Sequence, residues 1–329
     1  MKNKFMLTCT GGGGSFLSRS SVAFTMAEIL LSLTIIGVVA AITLPSLTGN
    51  INERTWNTQR KALYARFSQA ISLMPALNGY GADNLDTAAE TFVTAGLSKV
   101  LKINNICDND HLADCGLPDK IIPYSGSTIS PFPATMLTLN AAMSYSAGGA
   151  NVLDTKAAAF ETANGESIAV YYNPRCVQLV NYAETWNNKH FNRVCANFIY
   201  DLNGKKGPNA YGKDIGFITV FNPTDPVVAA PYVLPGIGGH GTYQLASTRC
   251  KSLDENSRVP TDYEMSAMTV NKILIGHIGE NNPYWVSDIV RIHADGTKNR
   301  YVQYWTDTAD SRWEWTENNG GTSLCVRRN

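Results

Sequence analysis

A stretch of oxygen-bearing side chains is the first group of residues in the sequence that could bind a cation. Residues 201–214 contain Asp201, Asn203 and Asp214, and they join two segments rich in β-branched and aromatic residues. Carboxylate and amide oxygens are ligands that Ca²⁺ prefers. The spacing is not that of an EF-hand, because no glutamate closes the stretch and lysines lie inside it. A structural turn is therefore the favoured interpretation, and a calcium loop is the alternative.

Cysteine is the second residue type that could do chemistry. Of the 7 cysteines, only Cys9 precedes the apolar stretch described below. The others are Cys107, Cys115, Cys176, Cys195, Cys250 and Cys325. An even set is typical of disulfides in an exported protein. Cys107, His111 and Cys115 could instead face a zinc ion from one helix, but an oxidising compartment and the neighbouring aspartates favour a disulfide loop.

No arrangement of residues indicates an enzyme. The 5 histidines are scattered, and none has a spacing with a known mechanism. Residues 236–241 formally satisfy G-x-G-x-x-G, but no helix is evident after them, so a glycine loop is favoured over a dinucleotide site. Basic and acidic side chains number 27 each, so no positive excess indicates nucleic acid. We expect no catalytic residues and no cofactor beyond the calcium alternative.

A single carboxylate lies in the most apolar stretch of the chain. Residues 24–44 carry one charge, Glu28, and as a helix they would span about 31 Å, close to the thickness of a bilayer core. The preceding residues 1–23 are weakly basic, which places them on the cytoplasmic side. A cleaved signal peptide, a signal anchor and a leader cut before the stretch are the three interpretations. An ionisable residue in a membrane is costly and indicates function, which favours the third.

The sequence AFTMAE from Ala23 to Glu28 resembles the processing site of type IV pilins and type II secretion pseudopilins. The resemblance implies that prepilin peptidase cuts between Ala23 and Phe24 and that the new amino group of Phe24 is methylated. It also implies that Glu28 pairs with the amino terminus of a neighbouring subunit. Gly37 and Pro45 stand where pilins commonly carry the same two residues. Ala23 departs from the family, in which glycine usually precedes the cut.

The remaining pattern predicts the elements that position these residues. Apolar residues from Trp56 to Met74 recur at helical spacing, and β-rich runs with an Asn164-Gly165 turn occupy residues 150–222. With the resemblance, they predict an α+β fold. A long N-terminal helix, with a membrane-spanning half and an amphipathic half, packs on an antiparallel sheet head, and a small α+β disulfide-bonded domain follows.

Five regions follow along the chain. They are a cleaved leader over 1–23, a transmembrane and assembly helix over 24–44, an amphipathic helix and pilin-like head over 45–222, a proline-rich linker over 223–235 and a C-terminal module over 236–329. The linker is placed by four prolines within 13 residues, because such a composition favours an extended connector.

The C-terminal module resembles the C-type-lectin-like fold of bacterial surface proteins, through a capping box from Thr261 to Glu264 and the segments 284–288 and 323–328. Such modules often have their termini joined by a disulfide, which implies a bond between Cys250 and Cys325. The local pairs Cys107 with Cys115 and Cys176 with Cys195 then remain, although other connectivities are open. Aromatic residues near the C-terminus are either a recognition surface or core strands: Tyr304, Trp305, Trp313 and Trp315.

These patterns predict a structural subunit, of the minor class because of its size, of a type IV pilus or a type II secretion pseudopilus. A filament-displayed adhesion protein that acts through the C-terminal module is the alternative. The expected partners are prepilin peptidase, other pilin or pseudopilin subunits, an inner-membrane assembly platform and a surface ligand. The expected location is the inner membrane as a single-pass protein with a periplasmic body, followed by an extracellular filament or a periplasmic pseudopilus.

Overall fold

The fold comes from a computed structural model of the chain. It describes residues 25–78, 88–124, 126, 128, 157–178, 193–221, 226–234, 239–275, 283–304 and 311–327. The chain divides into two compact units, Met1–Asn52 and Glu53–Asn329. The first helix supplies residues to both units, and the sheets belong to the second.

Helix α1 extends from Met26 to Asn78. Within the second unit its buried apolar side chains include Leu63, Phe67 and Met74, each with no exposed surface. Intervals of four and seven residues place these side chains on one side of a helix. Short helical turns follow over Ala89–Thr91, Phe92–Gly96 and Leu97–Lys99.

A six-stranded antiparallel sheet forms the centre of the second unit, and its strands are neighbours in chain order. They are β1 (Ile103–Cys107), β2 (Ala158–Thr162), β3 (Ser167–Gln178), β4 (Arg193–Asp201), β5 (Ile215–Phe221) and β6 (Val227–Ala229). The predicted Asn164-Gly165 turn joins β2 to β3, and Gly165 has a φ of 85°. Glycine adopts this left-handed conformation without steric cost.

Both faces of this central sheet are buried. On one face, the helix-side core combines Leu63 and Phe67 of α1 with Phe160, Phe198 and others. The rings of Phe67 and Phe198 meet edge to face, with centroids 5.0 Å apart. On the other face, the C-terminal core combines sheet residues with those that follow the linker: Ala169, Ile199, Phe217, Met265, Met268, Tyr284, Val286, Leu324 and Val326. Because alternate side chains point to opposite faces, every residue of β5 is buried.

Residues 232–327 form two smaller sheets. A five-stranded sheet has the order β12-β11-β10-β13-β8, and a three-stranded sheet has the order β7-β14-β9. The strands are β7 (Tyr232–Val233), β8 (His240–Gly241), β9 (Ser257–Arg258), β10 (Tyr284–Ile292), β11 (Lys298–Tyr304), β12 (Ser311–Thr316), β13 (Gly321–Thr322) and β14 (Val326–Arg327).

Three helices accompany these sheets, at Tyr243–Leu253, Asp262–Val270 and Lys272–Ile275. The second begins with the predicted capping box, which is confirmed: Glu264 N donates to Thr261 Oγ1 at 3.3 Å, and Thr261 N donates to the Glu264 carboxylate at 2.8 Å. The first follows the glycines of residues 236–241, where the sequence had given no sign of a helix. The strands nearest these glycines lie in different sheets, where β7 pairs antiparallel with β14 and β8 pairs antiparallel with β13, so the arrangement is not a βαβ unit.

The predicted fold class is wrong. The sequence predicted an α+β fold with a helix that was membrane-spanning in one half and amphipathic in the other, followed by a small α+β domain. Most elements of the described chain are strands, arranged in three sheets, and none of its helices has the character of a membrane span. The prediction of a separate small domain failed because of the C-terminal core. There, residues after the proline-rich segment bury their side chains against the central sheet.

The predicted single-pass location in the inner membrane is also overturned. Across the described residues, no helix combines the length and the apolar character that crossing a bilayer requires.

Candidate assembly site

The described apolar side chains at the start of α1 are all exposed. We call Thr25 to Val39 the N-terminal apolar segment. Its large apolar side chains are Met26, Ile29, Leu30, Leu31, Leu33, Ile35, Ile36, Val38 and Val39, and their exposed fractions run from 44% at Ile29 to 79% at Met26. Since these positions cover every direction around a helix with 3.6 residues per turn, the segment is apolar on all sides.

Glu28 lies in the first turn of α1 and caps it. Thr25 N and Thr25 Oγ1 each donate to Glu28 Oε2 at 2.9 Å, and Glu28 N donates to Thr25 Oγ1 at 3.2 Å. This reciprocal pattern is a capping box. The hydrogen bonds from the backbone and side chain of Thr25 lower the pKa of the Glu28 carboxyl. This local role was not among the predictions from the sequence, although the T-x-x-E spacing is typical of a capping box.

Capping leaves the Glu28 carboxylate available to an outside group. An ionised carboxylate offers about four lone-pair directions, and the two hydrogen bonds from Thr25 use only part of that capacity. Glu28 is exposed, so a cation from another molecule can reach it. The carboxylate can therefore cap its own helix and accept a bond from outside at once.

The other predicted processing and assembly residues are only partly visible. Ala23 and Phe24 lie outside the described residues. Gly37 is exposed, and beyond its own helical backbone and its chain neighbours no described atom lies within 4 Å of the position that a Cβ would take, so no described contact requires a glycine there. Position 45 falls within α1, but the side chain of Pro45 lies outside the described set.

The predicted disulfides between Cys107 and Cys115 and between Cys250 and Cys325 are confirmed. Cys195 is also disulfide-bonded, while the side chain of its predicted partner, Cys176, lies outside the described set. The first disulfide leaves no thiolate for the zinc alternative. His111 instead hydrogen-bonds Asp108 at 2.7 Å between Nδ1 and Oδ1.

The candidate calcium residues lie together in the loop between β4 and β5. Asp201 and Asp214 are fully buried, and Asn203 is half-buried. Burial is the main cause that raises the pKa of Asp201 to about 7, and the nearby charge of Asp214 adds to it. Across the described residues, no cluster of three or more His, Cys, Asp or Glu side chains is placed to hold a metal. The loop therefore offers two carboxylates together with amide oxygens. Such a set suits a cation that accepts neutral amide oxygens as well as carboxylates.

The C-terminal aromatic residues are divided between the core and the part of the chain that is not described. Trp315 is half-buried and meets the fully buried Trp285 edge to face, with centroids 6.4 Å apart. Its ring therefore belongs to the packing around Trp285. Trp305 and the side chains of Tyr304 and Trp313 lie outside the described residues. The recognition surface stays a prediction.

Comparisons of the chain with protein-family models, curated proteins and solved structures found no match. The pilin resemblance therefore rests on the residues from Ala23 to Glu28, on Gly37 and on Pro45.

Proposed function

We propose that the chain is a structural subunit, of the minor class, of a type IV pilus or a type II secretion pseudopilus, assembled through its N-terminal apolar segment. The observation that carries the proposal is the exposure of every large apolar side chain that the segment presents. Full burial of one such side chain stabilises by about 1.5–3 kcal/mol. Covering most of them offsets an association cost of about 4–15 kcal/mol.

Like segments of neighbouring subunits are the cover that fits best. A groove on a globular partner covers one side of a helix, whereas this segment is apolar in all directions. A bundle of helices covers all sides, and staggered copies would bring a cationic amino terminus to Glu28. Such a pairing is needed, because an ionised carboxylate buried without a partner costs several kcal/mol.

A charge placed in the segment tests the proposal. Leu31→Glu should reduce the amount of subunit recovered in the sheared filament fraction of the producing cell by more than tenfold, since it buries an unpaired charge in the bundle. Leu253→Glu is the matched control, because Leu253 is also an exposed leucine on a helix, 48% against 62% for Leu31. Equal recovery of the two variants would rule out assembly through this segment.

The proposed intersubunit role of the Glu28 charge can be separated from the capping role of the same side chain. Glutamine also serves in a capping box, so Glu28→Gln keeps the cap and removes the charge. We expect this variant to lose incorporation as Glu28→Ala does, because the intersubunit contact needs the charge. Recovery of Glu28→Gln at the parental level, with loss only in Glu28→Ala, would show that the cap alone matters.

A further inference from the structure

The loop between β4 and β5 is bounded by two buried acidic residues. Asp201 is the last residue of β4, Asp214 immediately precedes β5, and both are fully buried. Leu202 N donates to the Asp214 carbonyl at 2.9 Å. The two ends of the loop are therefore held together, and the charge of each carboxylate acts on the other.

Asp214 organises the interior of the loop. Asn209 N donates to Asp214 Oδ2 and Ala210 N donates to Asp214 Oδ1, each at 2.8 Å. Asn209 has a φ of 51° and is the one non-glycine residue of the described chain in the left-handed region. Asparagine tolerates this conformation better than most residues, so the turn brings residue 209 back to the carboxylate at the end of the loop.

Three side-chain oxygens in this loop are buried and have no hydrogen-bond partner among the residues that the structure describes: Asp201 Oδ2, Asn203 Oδ1 and Asn209 Oδ1. The Asp201 carboxylate is directed into the loop, because its Oδ1 accepts from Asn203 N at 3.0 Å. Buried acceptors are nearly always paired in native proteins. All three atoms are acceptors, so they cannot satisfy one another, and a single water could donate to only two of them.

No side chain of the loop neutralises the Asp201 carboxylate. Lys205, Lys206 and Lys213, whose presence counted against calcium in the sequence, are exposed. Within the described part of the chain, the Asp201 Oδ2 atom has no hydrogen-bond partner. A buried negative charge without a cationic partner is unfavourable. Since no side chain of the loop supplies that cation, a bound metal ion would stabilise the site.

We propose that this loop binds one Ca²⁺ ion through the oxygens of Asp201, Asn203 and Asn209, with Asp214 as the second negative charge. Ca²⁺ accepts carboxylate, amide and backbone carbonyl oxygens in flexible geometry, whereas Mg²⁺ demands a near-ideal octahedron and Zn²⁺ prefers nitrogen and sulfur. The loop supplies oxygen ligands only, and it supplies two negative charges. Backbone carbonyls and water complete the coordination.

The ion would fix more than the loop itself. Ile122 N donates to the Asn209 carbonyl at 2.8 Å, and Tyr211 N donates to the Ile122 carbonyl at 2.7 Å. The loop is thereby joined to the segment that follows the Cys107 to Cys115 disulfide. Calcium bound at Asn209 stabilises this junction, so the ion acts as a structural staple of the second unit. The inference does not depend on the proposed filament role.

Calcium binding can be measured on the full chain after treatment with a chelator. Titration with calcium chloride in a calorimeter should show one site per chain, with a dissociation constant on the order of 10⁻⁴ to 10⁻³ M, the range of extracellular calcium modules. The same addition should raise the melting temperature. Asn209→Gly and Asp201→Asn should each weaken binding at least tenfold.

The two variants are chosen so that folding does not obscure the result. Glycine adopts the φ of residue 209 freely, and Asp201→Asn removes a buried unpaired charge, so both should melt near the parental temperature without calcium and gain little with it. Asp295→Asn is the matched control, because Asp295 is exposed and caps another turn through Thr297 N at 2.9 Å. It should bind calcium as the parent does.

Three results would overturn the inference. They are no calcium binding up to about 10 mM, binding that Asn209→Gly leaves unchanged, and equal competition by Mg²⁺ at the same concentration. None of them bears on the recovery of Leu31→Glu in filaments, so a failure here is distinguishable from a failure of the proposed function.

Discussion

The N-terminal apolar segment and the central sheet both carry many large apolar side chains, but among the described residues those of the segment are exposed and those of the sheet are buried. In β5 every residue is buried, because α1 covers one face of the sheet and the C-terminal residues cover the other. In the N-terminal apolar segment each large apolar side chain is at least 44% exposed. The described residues of the second unit therefore bury the apolar side chains of the sheet, whereas the described side chains of the segment remain exposed. The proposed cover for the segment is the like segments of neighbouring subunits.

Loss of the long-range disulfide is the largest expected effect on the second unit. The bond between Cys250 and Cys325 closes a loop of 75 residues, worth roughly 4–5 kcal/mol on the chain-entropy model, against roughly 2–3 kcal/mol for the 8-residue separation of Cys107 and Cys115. Chemical denaturation should show that Cys250→Ser lowers the free energy of unfolding more than Cys107→Ser does. The opposite order would mean that the C-terminal strands contribute little to the shared core.

Phe198→Ala should lower the free energy of unfolding by about 3–5 kcal/mol, because it opens a cavity in the helix-side core. Phe198 is fully buried and contacts Phe67. Leu31→Ala should change the same quantity by less than about 0.5 kcal/mol, since Leu31 is 62% exposed. Comparable losses from both substitutions would break the contrast between the two regions.

Glu166→Gln should cost about 1–3 kcal/mol of stability, since it weakens a buried charged network. Glu166 pairs with Arg66 of α1 and accepts from Thr162 Oγ1, so it joins the helix to the turn between β2 and β3. Glu255→Gln is the control, because Glu255 is exposed, and it should have no effect in the same denaturation experiment. If Glu166→Gln left the free energy of unfolding unchanged, the helix-side core would not need this link.

The smallest effect concerns the exposed pair of Asp108 and His111. The hydrogen bond that the His111 ring donates to the Asp108 carboxylate, together with the charge of that carboxylate, raises the pKa of His111. The pair therefore stabilises the fold below the ordinary histidine pKa of about 6.5, and this contribution is lost as pH rises through the higher folded-state value. An NMR titration should give His111 a lower pKa in Asp108→Asn than in the parent. Identical values would contradict the contact.

Local signals in the sequence predicted several elements of the fold correctly. The Asn164-Gly165 turn and the Thr261 capping box depend on short-range geometry, which a sequence displays directly. A sequence does not display long-range packing in this way. Residues on both sides of the prolines share one core, and the apolar run of β5 cannot reveal which elements cover each face of the sheet. The domain boundary at residues 223–235 stays a prediction. Phe217 and Tyr284, which lie on opposite sides of that boundary, belong to the same C-terminal core, so a fragment that starts after the boundary would lose part of its core.

The candidate sites show the same division. The sequence indicated Asp201, Asn203 and Asp214 from their oxygens alone, but it did not indicate Asn209, whose part depends on a left-handed φ of 51°. The lysines of the loop also argued against a bound cation in the sequence, but in the structure these lysines are exposed. For Glu28, the apolar surroundings suggested a partner outside the chain, and the hydrogen bonds with Thr25 became evident only from the geometry.

Photo-crosslinking within assembled filaments can show whether subunits meet through the N-terminal apolar segment. Ile36 and Ile292 are both 63% exposed, so a photoreactive residue at either position is equally accessible in the single chain. We expect position 36 to crosslink to the N-terminal apolar segment of another subunit, while position 292 does not. Adducts at position 36 with lipid alone, or equal subunit crosslinks from both positions, would contradict assembly through this segment.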